Sequence, residues 1–298
     1  MCTSCTPVVE QSSLRGRLPR YSEWQGGVKI DKILIMDDKE LFKGTAWYYA
    51  KYRCGYPNAF IEHILKSFNL DKNSRVLDLG TGTGQIAIPI SRYVKEVVAI
   101  DPEQEMLDEA KNQAGSKEVV NVKWVLDKAE DITEELGTFN ATTMGASFHW
   151  MEQDKVLERI YKITQKSGGV VIVANQSPIF TEKKTEAYKA VVREVIKKYL
   201  GEKRRAGNSF FQPPKDRFED VIKRSRFHGF QTFNHEYKQN WTIDEIIGFL
   251  YSTSFASRRL FGDKIDDFEK ELREKLLQLN PDGQFTETVV CGAYLAWK

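Results

Sequence analysis

Val76-Leu77-Asp78-Leu79-Gly80-Thr81-Gly82-Thr83-Gly84 is the stretch on which the fold turns. Val76–Leu79 reads as a buried strand and Gln85–Tyr93 as a helix. Glycines between a strand and a helix let backbone approach a ligand, because no Cβ stands in the way. The spacing here is G-x-G-x-G, which departs from the dinucleotide pattern G-x-G-x-x-G. Outward from this loop, strands at Val97–Ile100, Val122–Leu126, Ala141–Gly145 and Val170–Ala174 alternate with helices at Glu103–Ala114 and Lys155–Thr164. Strands that are apolar throughout and separated by helices predict an α/β fold, a parallel sheet covered on both faces.

Asp78 ends the first strand two residues before Gly80. A pyrophosphate on the helix N-terminus would meet this carboxylate as a like charge, whereas an α-ammonium group would be attracted to it. That chemistry belongs to the methionine half of S-adenosylmethionine. Asp101 ends the next strand, where an acidic side chain can bond two ribose hydroxyls. The plainer role for Asp101, followed by Pro102, is to cap the helix it precedes. Together with Asp78, Gly80, Gly82 and Gly84, the ribose role is the stronger reading.

These residues resemble motif I and the second-strand acid of class I S-adenosylmethionine-dependent methyltransferases. Asp127-Lys128-Ala129-Glu130-Asp131 is similar to the family segment that lines the adenine. Lys128 stands where the family often has Asp. Phe42-Lys43-Gly44-Thr45-Ala46, Tyr49, Tyr52-Arg53 and Tyr56-Pro57 resemble the opening of the methyltransferase-11-type group, which includes enzymes similar to trans-aconitate methyltransferases. Ser147-Phe148-His149-Trp150, Gly168-Gly169-Val170, and Trp241 with Ser252-Thr253-Ser254 resemble later segments of that group. The match runs from about Phe42 to the C-terminus.

The resemblance implies a Rossmann-like, seven-stranded, mostly parallel sheet with helices on both faces and a helical cap from late insertions. It implies S-adenosylmethionine as cofactor, held by Asp78, Gly80, Thr81, Gly82, Thr83, Gly84, Asp101, Pro102, Met106, Asp127, Lys128, Ala129, Glu130 and Ser147. The expected organisation is an arm over 1–40, a cofactor core with an N-terminal lid helix over 41–175, and the end of the sheet plus a substrate cap over 176–298.

Methyl transfer from a sulfonium needs alignment and desolvation more than acid–base help. A base is required only for a protonated acceptor. His149 is the candidate base; a structural or substrate-orienting histidine between Phe148 and Trp150 is the alternative. Tyr48, Tyr49, Tyr52 and Arg53 fall on a segment able to cover the cofactor, where aromatic faces would attract a cation. Trp150, Phe180 and Trp241 are candidates for the acceptor pocket, although most aromatics in any chain are core. The long connection after Val170–Ala174 and the one before the closing strand Thr288–Trp297 suit a cap that encloses a small acceptor.

Over 298 residues, a net charge of +2 gives no electrostatic footprint for nucleic acid. An Asn/Asp-Pro-Pro-Tyr/Phe tetrapeptide, which would point to base or amide methylation, does not follow the fourth strand. The rivals are a nucleic-acid or protein methyltransferase and a nonenzymatic S-adenosylmethionine-binding protein. A nicotinamide dehydrogenase is disfavoured by Asp78. No apolar run is long enough to span a bilayer and no signal peptide is seen, so the expectation is a cytoplasmic protein without a membrane partner. Cys2 and Cys5 form a C-x-x-C pair with no second ligand pair, so no metal site is expected. The oligomeric state is not indicated.

Overall fold

The computed structural model describes residues 41–176, 186–212 and 215–298. The arm over 1–40, with its expected strand at 28–35, and Phe180 lie outside them. Helices α1 (Ala46–Tyr52) and α2 (Asn58–Ser67) precede a doubly wound unit. It runs β1 (Arg75–Leu79), α3 (Ala87–Ser91), β2 (Glu96–Asp101), α4 (Gln104–Gly115), β3 (Val122–Leu126), β4 (Phe139–Gly145), α5 (Gln153–Ile163) and β5 (Thr164–Gln176). Then come α6 (Ala187–Leu200), a hairpin of β6 (Arg205–Ala206) and β7 (Ser209–Phe210), α7 (Phe218–Arg224), β8 (His228–Thr242), α8 (Ile243–Tyr251), α9 (Ile265–Leu279) and β9 (Gln284–Trp297). The hairpin lies where a plain loop over 207–214 is expected from sequence; Gly207, with φ of 56°, makes its turn.

The main sheet has seven strands in the order β3-β2-β1-β4-β5-β9-β8. Pairings from β3 to β5 are parallel, while β9 runs antiparallel to both β5 and β8. The fold is therefore the seven-stranded, mostly parallel α/β architecture expected. Order reverses between β1 and β4, which opens a crevice at the carboxyl edge of the sheet, where α/β proteins seat ligands.

Alternation along the strands sends side chains into two cores. Leu77, Leu79, Val98 and Ile100 join Val156, Leu157, Ile160 and Ile163 of α5 on one face. Val76, Val97 and Ala99 join Phe60, Ile61 and Ile64 of α2 on the other. The spacing of the α5 apolar residues puts all four on one side of the helix, which is why they bury together. A third core joins Val192, Val195 and Ile196 of α6 to Ile246, Ile247 and Leu250 of α8 and Phe268, Leu272 and Leu276 of α9. This is the cap. Helix α8 starts at Thr242 with a full capping box: the Thr242 hydroxyl accepts from Glu245 N–H and the Glu245 carboxylate accepts from Thr242 N–H. Among the described residues, no helix is long and apolar enough to cross a membrane.

Candidate active site

The loop after β1 is bent by glycines in the left-handed region. Gly80 has φ of +64°, and a Cβ there would stand 2.4 Å from Ser147 Cβ. Only glycine lets the loop pass so close to the segment after β4, where the Ser147 hydroxyl donates to the Leu79 carbonyl at 2.7 Å. Thr81 N–H donates to the Ile100 carbonyl at 3.0 Å, tying the same loop to β2.

These contacts frame one open cavity, about 810 Å³ with its solvent-filled mouth, at the carboxyl edge of the sheet. Its wall includes, of the residues expected to hold cofactor, Gly80, Gly82, Asp101, Pro102, Met106, Asp127, Lys128, Ala129, Glu130 and Ser147. Tyr49 and Trp150 line it from the expected lid and acceptor set. Asp101 Oδ2 accepts from Gly82 N–H at 2.8 Å and Oδ1 from Glu103 N–H at 3.0 Å. Asp101 thus holds the backbone at Glu103, the N-cap of α4, rather than capping the helix itself as the plainer reading had it. Burial raises its carboxyl to about 6 against the pull of those two N–H groups. Glu103, also at the wall, is raised to about 7 by burial and by its neighbours Asp101 and Glu105.

Asp78 stands one layer behind the wall. It is 1% exposed, and its oxygens accept from the hydroxyls of Thr81 and Thr143, both at 2.6 Å. Burial raises it to about 6, opposed by those hydroxyls. Each Asp78 oxygen thus holds one hydroxyl donor, and Asp78 is not among the residues lining the cavity. Thr83 donates to Gln85 Oε1 at 2.8 Å. Gly84 packs towards Ile88 and Trp124. Thr81, Thr83 and Gly84 thus shape the loop from outside the cavity wall.

The lid residues divide. Tyr49 is the nearest neighbour of the empty Cβ position at Gly82, at 3.7 Å. Tyr48 and Tyr52 face the cap: Tyr48 meets Tyr251 edge-on at 5.3 Å, and Tyr52 fills the space left by Gly248. Arg53 donates to the Ser252 hydroxyl at 2.9 Å and stacks its guanidinium over Tyr49 and Phe249. Trp241 lies in the cap core, 6% exposed, with Nε1–H donating to Glu287 at 2.7 Å. An indole with its N–H satisfied in a core is a packing residue, so Trp241 does not face the cavity. His149 lies against Trp150 at 4.7 Å between ring centres. Burial first, then the charges of Arg204 and Arg53, push its imidazole down to about 3.

Leu41, Phe42, Glu103, Gly145, Ala146 and Met151 also line the cavity, although sequence did not single them out as site residues. Phe42 and Phe211 each meet Trp150 edge-on, at 6.0 and 5.6 Å. They close a roof with Leu41 and Ala206. The position of Glu103, next to Pro102, was the available signal. Ala146, with φ of +53°, had none, since nothing about alanine announces that conformation.

Residues 76–168 match the methyltransferase domain family. This segment is similar to methyltransferase domains. An uncharacterised methyltransferase of Schizosaccharomyces pombe is 29% identical over 135 residues, 45% of this chain and 52% of its own length. The chain spans about half the length of the curated relatives it matches. A putative type II methyltransferase from Anaeromyxobacter dehalogenans shares the fold with a TM-score of 0.52, at 18% identity over 83% of this chain and 97% of that one. A methyltransferase from Thiobacillus denitrificans, solved with S-adenosyl-L-homocysteine, gives 0.50 at 12% identity, over 88% and 100%.

Proposed function

We propose that this chain binds S-adenosylmethionine in this open cavity and transfers its methyl group to the oxygen or nitrogen of a small-molecule acceptor. The observation that carries this reading is the convergence of a glycine-lined wall, at Gly80 and Gly82, with the buried carboxylate of Asp101 in one cavity. The missing Cβ atoms leave room for a ligand backbone, and the carboxylate accepts from a vicinal diol. The cofactor supplies a methyl already activated on a sulfonium.

The protein's own part is placement. Asp101 receives the ribose hydroxyls, and Met106 with Ala129 offers an apolar seat for a purine. Asp78 sets negative potential behind the loop, which favours the cationic amino-acid end. The roof of Leu41, Phe42 and Trp150 keeps water from the reacting groups. Residues 41–175 serve as the cofactor half and 176–298 as the cap that encloses the acceptor. Kinship with the trans-aconitate group rests on the aromatic opening from Phe42 to Pro57.

His149 stays neutral near pH 7 and is a weak base, since useful basicity lies near the working pH. It orients the acceptor rather than deprotonating it. Arg53 and Arg204 make the surroundings of His149 positive and favour an acceptor that carries an anionic group.

Calorimetry with S-adenosylhomocysteine and with NAD tests the cofactor class. Binding of S-adenosylhomocysteine without NAD is expected; the reverse pattern overturns the reading. Labelled S-adenosylmethionine offered to a metabolite pool then identifies the acceptor.

A further inference from the structure

Two segments cover the cavity, and each turns an aromatic ring outward with a cation on it. The first is the hairpin of β6 and β7. Ala206 and Phe211 face inward and pack with Leu41, Phe42 and Trp150 in the roof. Alternation then sends Phe210, which pairs with Arg205 across the hairpin, to the outer side. Phe210 is 48% exposed, and its ring centre has Lys203 Nζ at 5.8 Å and the Arg205 guanidinium at 5.9 Å. The second segment is α1. Trp47 is 53% exposed, and Lys51, one turn on, lies over its indole at 4.6 Å.

The two rings stand on one continuous stretch of surface. Arg259 donates to Asn208 at the hairpin tip, at 3.1 Å, and Lys43 precedes α1; both charges bear on the same carboxylate, Glu103. Beside Trp47, Tyr48 packs on Tyr251, with Arg258 alongside. Among the described residues, Lys51, Lys203, Arg205 and Arg258 pair with no carboxylate. Lys197, Lys198, Lys275 and Arg273 of the cap helices α6 and α9 each do.

Four cations without carboxylate partners, set around two exposed rings, complement negative charge and hold apolar anchors within it. A lipid interface offers both partners: anionic headgroups, and a boundary where indole and phenyl rings settle. Nucleic acid would call for a larger excess of positive charge than the +2 of this chain. We propose that this face docks the protein on an anionic phospholipid bilayer, with Trp47 and Phe210 as its anchors. The expectation of no membrane partner rested on the lack of a spanning run, and a peripheral contact needs none.

Vesicle binding requires no cofactor, so its outcome is independent of the methyl-transfer reading. The full chain is sedimented with vesicles of phosphatidylcholine alone, and of phosphatidylcholine with phosphatidylserine in equal parts. Binding to the anionic vesicles only is expected, with release by salt. Each basic residue near such a surface contributes about fivefold in affinity. Lys203→Gln with Arg205→Gln should therefore weaken binding by about twenty- to thirtyfold. Phe210→Ser, at an exposed position, should weaken it as well. Lys95→Gln with Lys117→Gln makes the same charge change ahead of β2 and β3, at the opposite edge of the sheet, and should leave binding unchanged. No binding to either vesicle, equal binding to both, or equal loss in the two double variants would overturn the proposal. So would tighter binding to duplex DNA than to the anionic vesicles at the same salt, which would assign the face to nucleic acid.

Discussion

At the scale of single residues, the site depends on carboxylates held out of water. Asp78 and Asp101 titrate near 6 and Glu103 near 7, each raised chiefly by burial. An aspartate that titrates at 3.8 when unfolded and near 6 when folded holds its proton more tightly in the folded state. Its contribution to the stability of the unliganded protein is therefore greatest below about 4 and is lost as pH rises through 6. A ligand that offers hydroxyl donors or a cation favours the ionised forms, so its affinity runs the other way. S-adenosylhomocysteine binding is expected to weaken about tenfold between pH 7.5 and pH 5, measured by calorimetry. Asp101→Asn should weaken binding at pH 7.5 and flatten that slope. His149→Asn should leave the slope alone, since an imidazole near 3 does not titrate in this window.

Among the elements, the two kinds of boundary signal behaved differently. Thr242 and Glu245 formed the capping box that their spacing announces, because the reciprocal bonds are local and need nothing from the rest of the chain. Thr242→Ala should cost about 1 kcal/mol, read as a lower urea midpoint at constant slope. The closing strand β9 reaches back to Gln284, although alternation alone suggested a start at Thr288. Its extra residues pair with the end of β8, from Thr242↔Gln284 to Gln239↔Glu287, and a partner strand is not a local property. The same limit applies to β6 and β7, where two-residue strands exist only as a pair.

In the whole molecule, the cap is fastened to the sheet through charge. Lys189 of α6 is 1% exposed and pairs with Glu287 of β9, itself 2% exposed, and with Glu186 at 3.0 Å. Trp241 of β8 donates to the same Glu287. Removing one member of a buried pair leaves the other charge unpaired, which costs far more than the pair contributes. Lys189→Met should destabilise the protein by about 3–5 kcal/mol in denaturant melts. Adding Glu287→Gln to that variant should recover much of the loss, because the stranded charge is then gone.

Sequence by itself determined the doubly wound sheet, the glycine loop, and the placement of Asp101, Met106 and the 127–130 segment along one edge. The sheet, the loop and the strand-end position of Asp101 follow from periodicity or backbone chemistry within a few residues; Met106 and the 127–130 segment follow from the family resemblance. Only the tertiary structure decided which side chains face the cavity. It turned Tyr48, Tyr52 and Trp241 into the cap, set Asp78 behind its loop, and brought Leu41 and Phe42 to the wall. The spacing of tyrosines from 48 to 56 cannot reveal this, because facing is decided by what α1 and the following turn pack against. Those partners, Tyr251, Gly248 and Gly145, lie far along the chain, and their contacts exist only once the sheet and cap have closed.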